Sequence, residues 1–165
     1  DINISNNKDL HDISPLLNFP LYKLNLANCT AIKTFTWLKS TNVEIVNLSG
    51  IDSKYFRQHV HIDTLRTLIM KNTFFRYQWL TGSKINDLDF TGSTVDLAGI
   101  RIKNIKNLNL CSATVTGFYN LTELKGLKRV IIPKDRLINQ TQMDYIKKKK
   151  IKVKICNCTD KSCKF

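Results

Sequence analysis

A chain of 165 residues, 42% of them hydrophobic, has enough material for one buried core and too little for two ordinary domains. Its formal charge is +13, from 26 Lys+Arg against 13 Asp+Glu, a balance that points towards anionic partners such as nucleic acid or a membrane surface. No window approaches the roughly 18 consecutive apolar residues of a membrane span, and the first residues lack the basic-then-apolar pattern of an export signal.

From the N-terminus onward, a block of the form apolar-x-x-apolar-x-apolar recurs. It appears as Leu21-Leu24-Leu26, Val43-Val46-Leu48, Leu65-Leu68-Met70, Ile85-Leu88-Phe90, Ile105-Leu108-Leu110 and Leu127-Val130-Ile132. Successive blocks start 22, 22, 20, 20 and 22 residues apart, a near-constant register that marks an internal repeat. One period before Leu21, Ile2 and Ile4 fall on the fourth and sixth positions of a seventh block whose first position would precede Asp1. The sequence thus predicts a partial first repeat, cut from a longer chain.

Apolar residues at the fourth and sixth positions, with polar residues between, read as a short strand with one face in the core. A unit this short cannot bury its own apolar face, so neighbours stack into a parallel sheet with return segments behind it. The returns carry their own anchors: Ile13 and Leu16; Phe35 and Leu38; Tyr55, Phe56 and Val60; Phe75, Trp79 and Leu80; Val95, Leu97 and Ile100; and Val115, Phe118 and Leu121. With Gly82, Gly99 and Gly117 and few helix-forming runs, they predict turns and short helical pieces.

At Pro133 the pattern stops. Asn139-Gln140-Thr141-Gln142 has the form of a capping box, so a helix is expected from about Gln140 to Lys149, with Met143 and Ile146 on one face. Lys147 to Lys150 sit at its C-terminal end, where cations meet the helix dipole favourably. Ile151-Lys152-Val153-Lys154-Ile155 alternates and predicts a final strand with Ile151, Val153 and Ile155 inward. The organisation read from sequence is a repeat region over 1–137, a closing helix and strand over 138–155, and a Cys/Lys tail over 156–165.

These blocks resemble the leucine-rich repeats, whose Leu-x-x-Leu-x-Leu consensus covers roughly residues 1–137. Asp12-Ile13-Ser14-Pro15-Leu16 followed by Pro20-Leu21-Tyr22-Lys23-Leu24-Asn25-Leu26 is similar to a bacterial subclass with Asp-Leu-Ser-Pro-Leu returns. The resemblance implies an α/β fold: a curved solenoid with its parallel sheet on the concave face and turns and short helical returns on the convex face, closed by a C-terminal helix and strand. It also implies protein recognition as the commonest use. The family's ninth position, usually Asn, Cys or Thr, is here Asn7, Cys29, Ile51, Thr73, Ser93 and Ala113, so its side-chain ladder is expected to break at Ile51 and Ala113.

Because side chains alternate along a strand, the third, fifth and seventh positions point away from the core. Candidate partner-binding residues are Lys23, Ile45, Thr67, Asp87, Asn107 and Arg129 at the third position and Asn25, Asn47, Ile69, Asp89 and Asn109 at the fifth, followed there by Ile131. This face predicts a non-catalytic module that recognises a protein or peptide partner within a larger protein, with any catalysis upstream of Asp1. The alternative is a nucleic-acid or anionic-surface binder working through a basic patch of Lys147, Lys148, Lys149, Lys150, Lys152 and Lys154. Up to Glu123 the chain carries 13 basic and 10 acidic residues, an excess of +3; from Leu124 onward it carries 13 and 3, an excess of +10. Most of the basicity is therefore C-terminal, yet no zinc-finger spacing, RNP-like aromatic pair or helix-turn-helix accompanies it.

Phosphate loops, Rossmann fingerprints, Gly-x-Ser-x-Gly and His-Glu-x-x-His are absent from the sequence, and no cofactor is implied. His59 and His61, with Asp63 near, form a weak metal candidate against an exposed turn. Cys156, Cys158 and Cys163 offer three thiols where a structural zinc site uses four ligands, leaving a disulfide within the tail or a free tail as alternatives. Cys111 has no local base and reads as a plain surface or core residue. Five cysteines in irregular spacing favour a reducing, cytoplasmic setting. Sequons at Asn28, Asn47, Asn120, Asn139 and Asn157 keep secretion open.

Overall fold

A computed structural model describes residues 1–55, 62–75, 84–100, 102, 104–134 and 138–156. The strands are β1 (Ile2–Asn3), β2 (Lys23–Asn25), β3 (Ile45–Asn47), β4 (Thr67–Ile69), β5 (Phe74–Phe75), β6 (Asp87–Asp89), β7 (Thr94–Asp96), β8 (Asn107–Asn109), β9 (Thr114–Thr116), β10 (Arg129–Pro133) and β11 (Lys152–Cys156). The chain is α/β with mostly parallel sheet and little helix. Among the described residues, one sheet has eight strands in the order β1-β2-β3-β4-β6-β8-β10-β11, and every pairing in it is parallel.

The block arithmetic sets the register. Leu24, Val46, Leu68, Leu88, Leu108 and Val130 pair in sequence from strand to strand, preceded by Ile2 on β1 and followed by Val153 on β11. Fourth- and sixth-position side chains from Leu24 to Ile132 are all buried in one continuous core. Packing so close leaves little room for volume change, and truncating a residue such as Leu68 leaves a cavity that neighbours fill only partly.

The returns are 3-10 helices at Ser14–Asn18, Thr36–Ser40, Ser53–Tyr55, Leu97–Gly99 and Phe118–Glu123. They seat Ile13, Phe35, Leu38, Leu97 and Leu121 in the core. The expectation of turns and short helices alone is incomplete, because β5, β7 and β9 make a second parallel sheet of three strands. The sequence there is rich in β-branched and aromatic residues, Phe74-Phe75, Thr94-Val95 and Thr114-Val115-Thr116, which favour extended backbone. The predicted anchors Phe56, Val60, Trp79 and Leu80, and Gly82, lie outside the described residues.

A two-residue turn follows each strand from β1 to β8 of the main sheet. Its second residue, at the eighth position, has positive φ: Asn6 65°, Asn28 62°, Gly50 71°, Asn72 53°, Gly92 69° and Ser112 56°. Gly and Asn tolerate this left-handed region better than other residues, which explains the occupancy. A Cβ on Gly50 would collide with Oδ1 of Asn28, and one on Gly92 with Oδ1 of Asn72, so neither glycine is replaceable without a shift.

The closing helix α1 (Gln140–Lys148) begins as predicted. Asn139 Oδ1 accepts from Gln142 N at 2.9 Å, and Asn139 N donates to Gln142 Oε1 at 3.0 Å. Ile146 is buried and Met143 half-buried. Three expectations at this end require correction. Ile151 and Val153 pack on the core, but Ile155, expected inward, is 63% exposed on the outermost strand of the sheet. Cys156 belongs to β11 and not to the tail. Cys111 is not a plain residue: it forms a disulfide with Cys156, 45 residues away, with Cα atoms 5.8 Å apart. Cys158 and Cys163 lie outside the described residues. Since such bonds persist in oxidising compartments, the cysteine pattern no longer argues for a reducing one.

Candidate functional site

The outward face of the main sheet carries the predicted partner-binding residues in two rows that the structure uses differently. At the third position, Lys23 and Arg129 are exposed, and Ile45, Thr67, Asp87 and Asn107 are half-buried. Lys152, paired with Arg129, extends this row onto β11. Four of these side chains are linked across adjacent strands: Thr67 Oγ1 donates to Asp87 Oδ2 at 3.4 Å, Asn107 Nδ2 donates to Asp87 Oδ1, and Arg129 Nε donates to Asn107 Oδ1 at 2.7 Å.

The fifth position mostly serves the turns. Asn25 Oδ1 accepts from Ala27 N at 3.1 Å, Asn47 Oδ1 from Ser49 N at 3.0 Å, Asp89 Oδ1 from Thr91 N at 3.0 Å and Asn109 Oδ1 from Cys111 N at 3.0 Å. Asn3 makes the same bond to Ser5 N at 3.2 Å in the partial first block. This is the Asx turn, in which a short side chain takes the place of a backbone acceptor. Where Ile69 offers no oxygen, Lys71 N instead donates to Ser49 Oγ at 3.0 Å. Asn109 must be withdrawn from the partner-binding set: it is 2% exposed, beside its register partner Ile131 on β10, itself 2% exposed. Ile131 clusters with Cys111 and Cys156, so the disulfide forms a small apolar lid at this end of the face.

The acidic spot at Asp87 and Asp89 is hydrogen-bonded in place, and one of its two charges is paired. Asp87 accepts from Thr67 and Asn107, and Asp89 Oδ2 pairs with Lys71 Nζ at 3.1 Å. The apolar spot of Ile45 and Ile69 is half-buried. Sequence reasoning missed the second position, where Tyr22, Lys106 and Lys128 are exposed immediately before β2, β8 and β10. Alternation from the fourth position assigns no role to a residue outside the strand, but the run Tyr22, Glu44, Arg66, Asn86, Lys106, Lys128 contains no aliphatic residue, a signal that was available.

No protein-family model, no curated protein and no solved structure matches this chain.

The ninth position is exposed at Asn7 and buried from Cys29 to Ala113. Thr73 Oγ1 donates to Met70 O at 2.9 Å, Ser93 Oγ donates to the same carbonyl at 2.6 Å, and Thr73 N donates to Ser93 Oγ at 3.1 Å. Cys29 Sγ donates to Ile4 O at 3.2 Å, and burial pushes its thiol up. Ile51 and Ala113 have no side-chain donor, and the ladder breaks there as expected. These bonds satisfy backbone groups and bring no reactive group to the surface.

Cavities flank the described returns. One of about 340 Å3 is lined by residues including His11, Asp12, Ile13, Ile32 and Trp37. Asp12 accepts from Ser14 N at 2.8 Å, and bonds from Ser14 hold its carboxyl below the usual range. Another, of about 510 Å3, is lined by Leu97, Ile100, Ile102, Glu123, Leu124 and Lys125 among others. Among the described residues no three His, Cys, Asp or Glu side chains are grouped to hold a metal ion. His59 and His61 lie outside the described residues. Nor is any helix among the described residues long and apolar enough to cross a membrane. The lysines of the predicted basic patch, Lys147 to Lys150, Lys152 and Lys154, are all exposed.

Proposed function

We propose that the chain is a leucine-rich-repeat solenoid acting as a non-catalytic binding module, which recognises a protein or peptide through the outward, concave face of its main sheet. The observation that carries this reading is the third-position row, from Lys23 to Lys152 across seven adjacent strands, whose side chains reach solvent while the fifth-position oxygens are engaged in turns. An extended peptide laid across this row meets a varied surface: a cation, an aliphatic group, a hydroxyl, a carboxylate, an amide, and cations again. The scaffold beneath is fixed by the core, so recognition and folding draw on different side chains.

The test is selection of a random peptide library against the full chain, followed by mapping the selected peptides by amide chemical-shift changes. Shifts centred on Lys23, Ile45, Thr67, Asp87 and Asn107 are expected, with binding at least about tenfold weaker in Ile45→Arg and Thr67→Arg, in line with the cost of blocking a central contact. Shifts confined to the returns would overturn the proposal.

A further inference from the structure

We infer that the C-terminal end of this sheet face docks an acidic segment of the protein partner, an inference that rests on the sheet-face reading above. Five exposed cations lie at that end, on or just before three adjacent strands: Lys106 just before β8, Lys128 just before β10, Arg129 on β10, and Lys152 and Lys154 on β11. Backbone bonds tie the row together, since Lys128 N donates to Lys106 O at 2.8 Å and Lys152 N to Lys128 O at 2.8 Å. Arg129 and Lys152 are register partners. Neighbouring strands lie about 4.8 Å apart, inside the screening length of about 8 Å at physiological salt, so the fields of these cations add.

Among the described residues, carboxylates are few at this end of the sheet. Strands β8, β10 and β11 contain no carboxylate. On the next strand Asp89 is paired with Lys71, and Asp87, which takes hydrogen bonds from Thr67 and Asn107, is one carboxylate against these five cations. Between Leu124 and Cys156 the described residues include one acidic side chain, Asp144, which accepts from Gln140 Nε2 at 2.7 Å. Lys147 to Lys150 precede β11 and reinforce the same end.

The chemistry favours a peptide over a nucleic acid. Single strands of nucleic acid bind where cations alternate with aromatic rings on which bases stack. The described residues of these three strands, and Lys106 and Lys128 before them, include no aromatic. Exposed aromatics stand instead at the opposite end, Phe19 and Tyr22 before β2, where Tyr22 O accepts from Ile45 N on the neighbouring strand. The face is thus uneven, mixed over β2 to β4, where Ile45 and Ile69 stand among Lys23 and polar side chains, and cationic towards β8 to β11, and the segment it fits is acidic at the end lying over β10 and β11.

The experiment titrates fluorescein-labelled decaglutamate against the full chain by anisotropy at low salt, beside a ten-nucleotide polythymidylate and phosphatidylserine vesicles. Decaglutamate is expected to bind more tightly than polythymidylate, to weaken as salt is raised, and to weaken about tenfold or more in the K128E/R129E/K152E variant. Replacing Lys147, Lys148, Lys149 and Lys150 by Gln is expected to change it by less than about threefold. If charge reversal prevents folding, the Lys106→Gln, Lys128→Gln pair must still weaken decaglutamate at least about threefold. No decaglutamate binding, tighter binding of polythymidylate or vesicles, or loss only with the helix lysines would each overturn the inference. Such a failure leaves the mapping of selected peptides untouched, whereas shifts confined to the returns with decaglutamate still bound would remove the sheet-face reading and keep the cation row.

Discussion

The body of the sheet, from β2 to β8, and its closing segment, from β10 to β11, solve the same problem by different means. An interior strand has a partner on each edge and core on one face, so small devices suffice: an Asx bond at the fifth position and a left-handed residue at the eighth. Among the described residues the last strand has a partner on one side only, and its end carries Ile155 in solvent. There the chain adds a covalent link, a capped helix and a run of lysines. A stacked structure is held in its middle by its neighbours and at its end by features that appear once. Lysines on the terminal strand also discourage another sheet from adding to it.

The largest break in this comparison is the disulfide. It closes a loop of 45 residues in sequence separation between the turn after β8 and the end of β11. On the loop-entropy account, losing it costs about 4 kcal/mol. Cys156→Ser is expected to lower stability by about that amount in denaturant titration, and Cys111→Ser by the same, with the double variant no worse than either, because one bond is lost in all three. Reductant acting on the wild-type protein is expected to reproduce the shift. Additive losses from the two serines would show that the thiols pack independently and that the bridge carries no stability.

The next effect lies in the body. Gly50 has φ 71° and stands against the Asn28 amide, so Gly50→Ala combines a left-handed alanine with a collision. A loss of about 2 kcal/mol is expected, read as a fall in the denaturation midpoint. Adding Asn28→Gly, which suits the 62° φ at that position, removes the collision and should recover about half of that loss. No recovery would assign the whole cost to backbone conformation.

These two predictions also mark what was legible in the sequence. The register of Leu24 through Val130 was legible, since a period of two within each block and about 22 between blocks leaves one alignment. The cap at Asn139 and Gln142 was legible because its two bonds span three residues. The Cys111–Cys156 pairing was not, since connectivity across 45 residues depends on where β11 falls beside β10. The strands β5, β7 and β9 are no shorter than most of those in the main sheet, but each carries one buried apolar residue, Phe75, Val95 or Val115, and a single position gives no alternation to read. Within the candidate site the outward rows were legible from alternation, but not their division of labour. Asn25 and Asn107 are the same residue type; one accepts from the turn that follows it and the other spans from Asp87 to Arg129, and only the backbone geometry separates them.

The smallest effect sharpens the contrast between end and middle. Asn139 caps α1, and its partner Gln142 is buried, so Asn139→Ala removes an acceptor from Gln142 N without opening a cavity in the core. Loss of such a cap costs about 1 kcal/mol, and Asn139→Ser should restore most of it. The loss should also be local. The disulfide holds β11 at Cys156, beyond the helix, so fraying of the first turn of α1 need not release the strand. Hydrogen exchange is the measurement that decides: amides of Met143 and Asp144 should exchange faster in Asn139→Ala, while those of Val46 and Leu68 in the body keep their wild-type protection. Equal acceleration at all four would mean that end and middle open as a single unit, and that the cap supports the whole sheet.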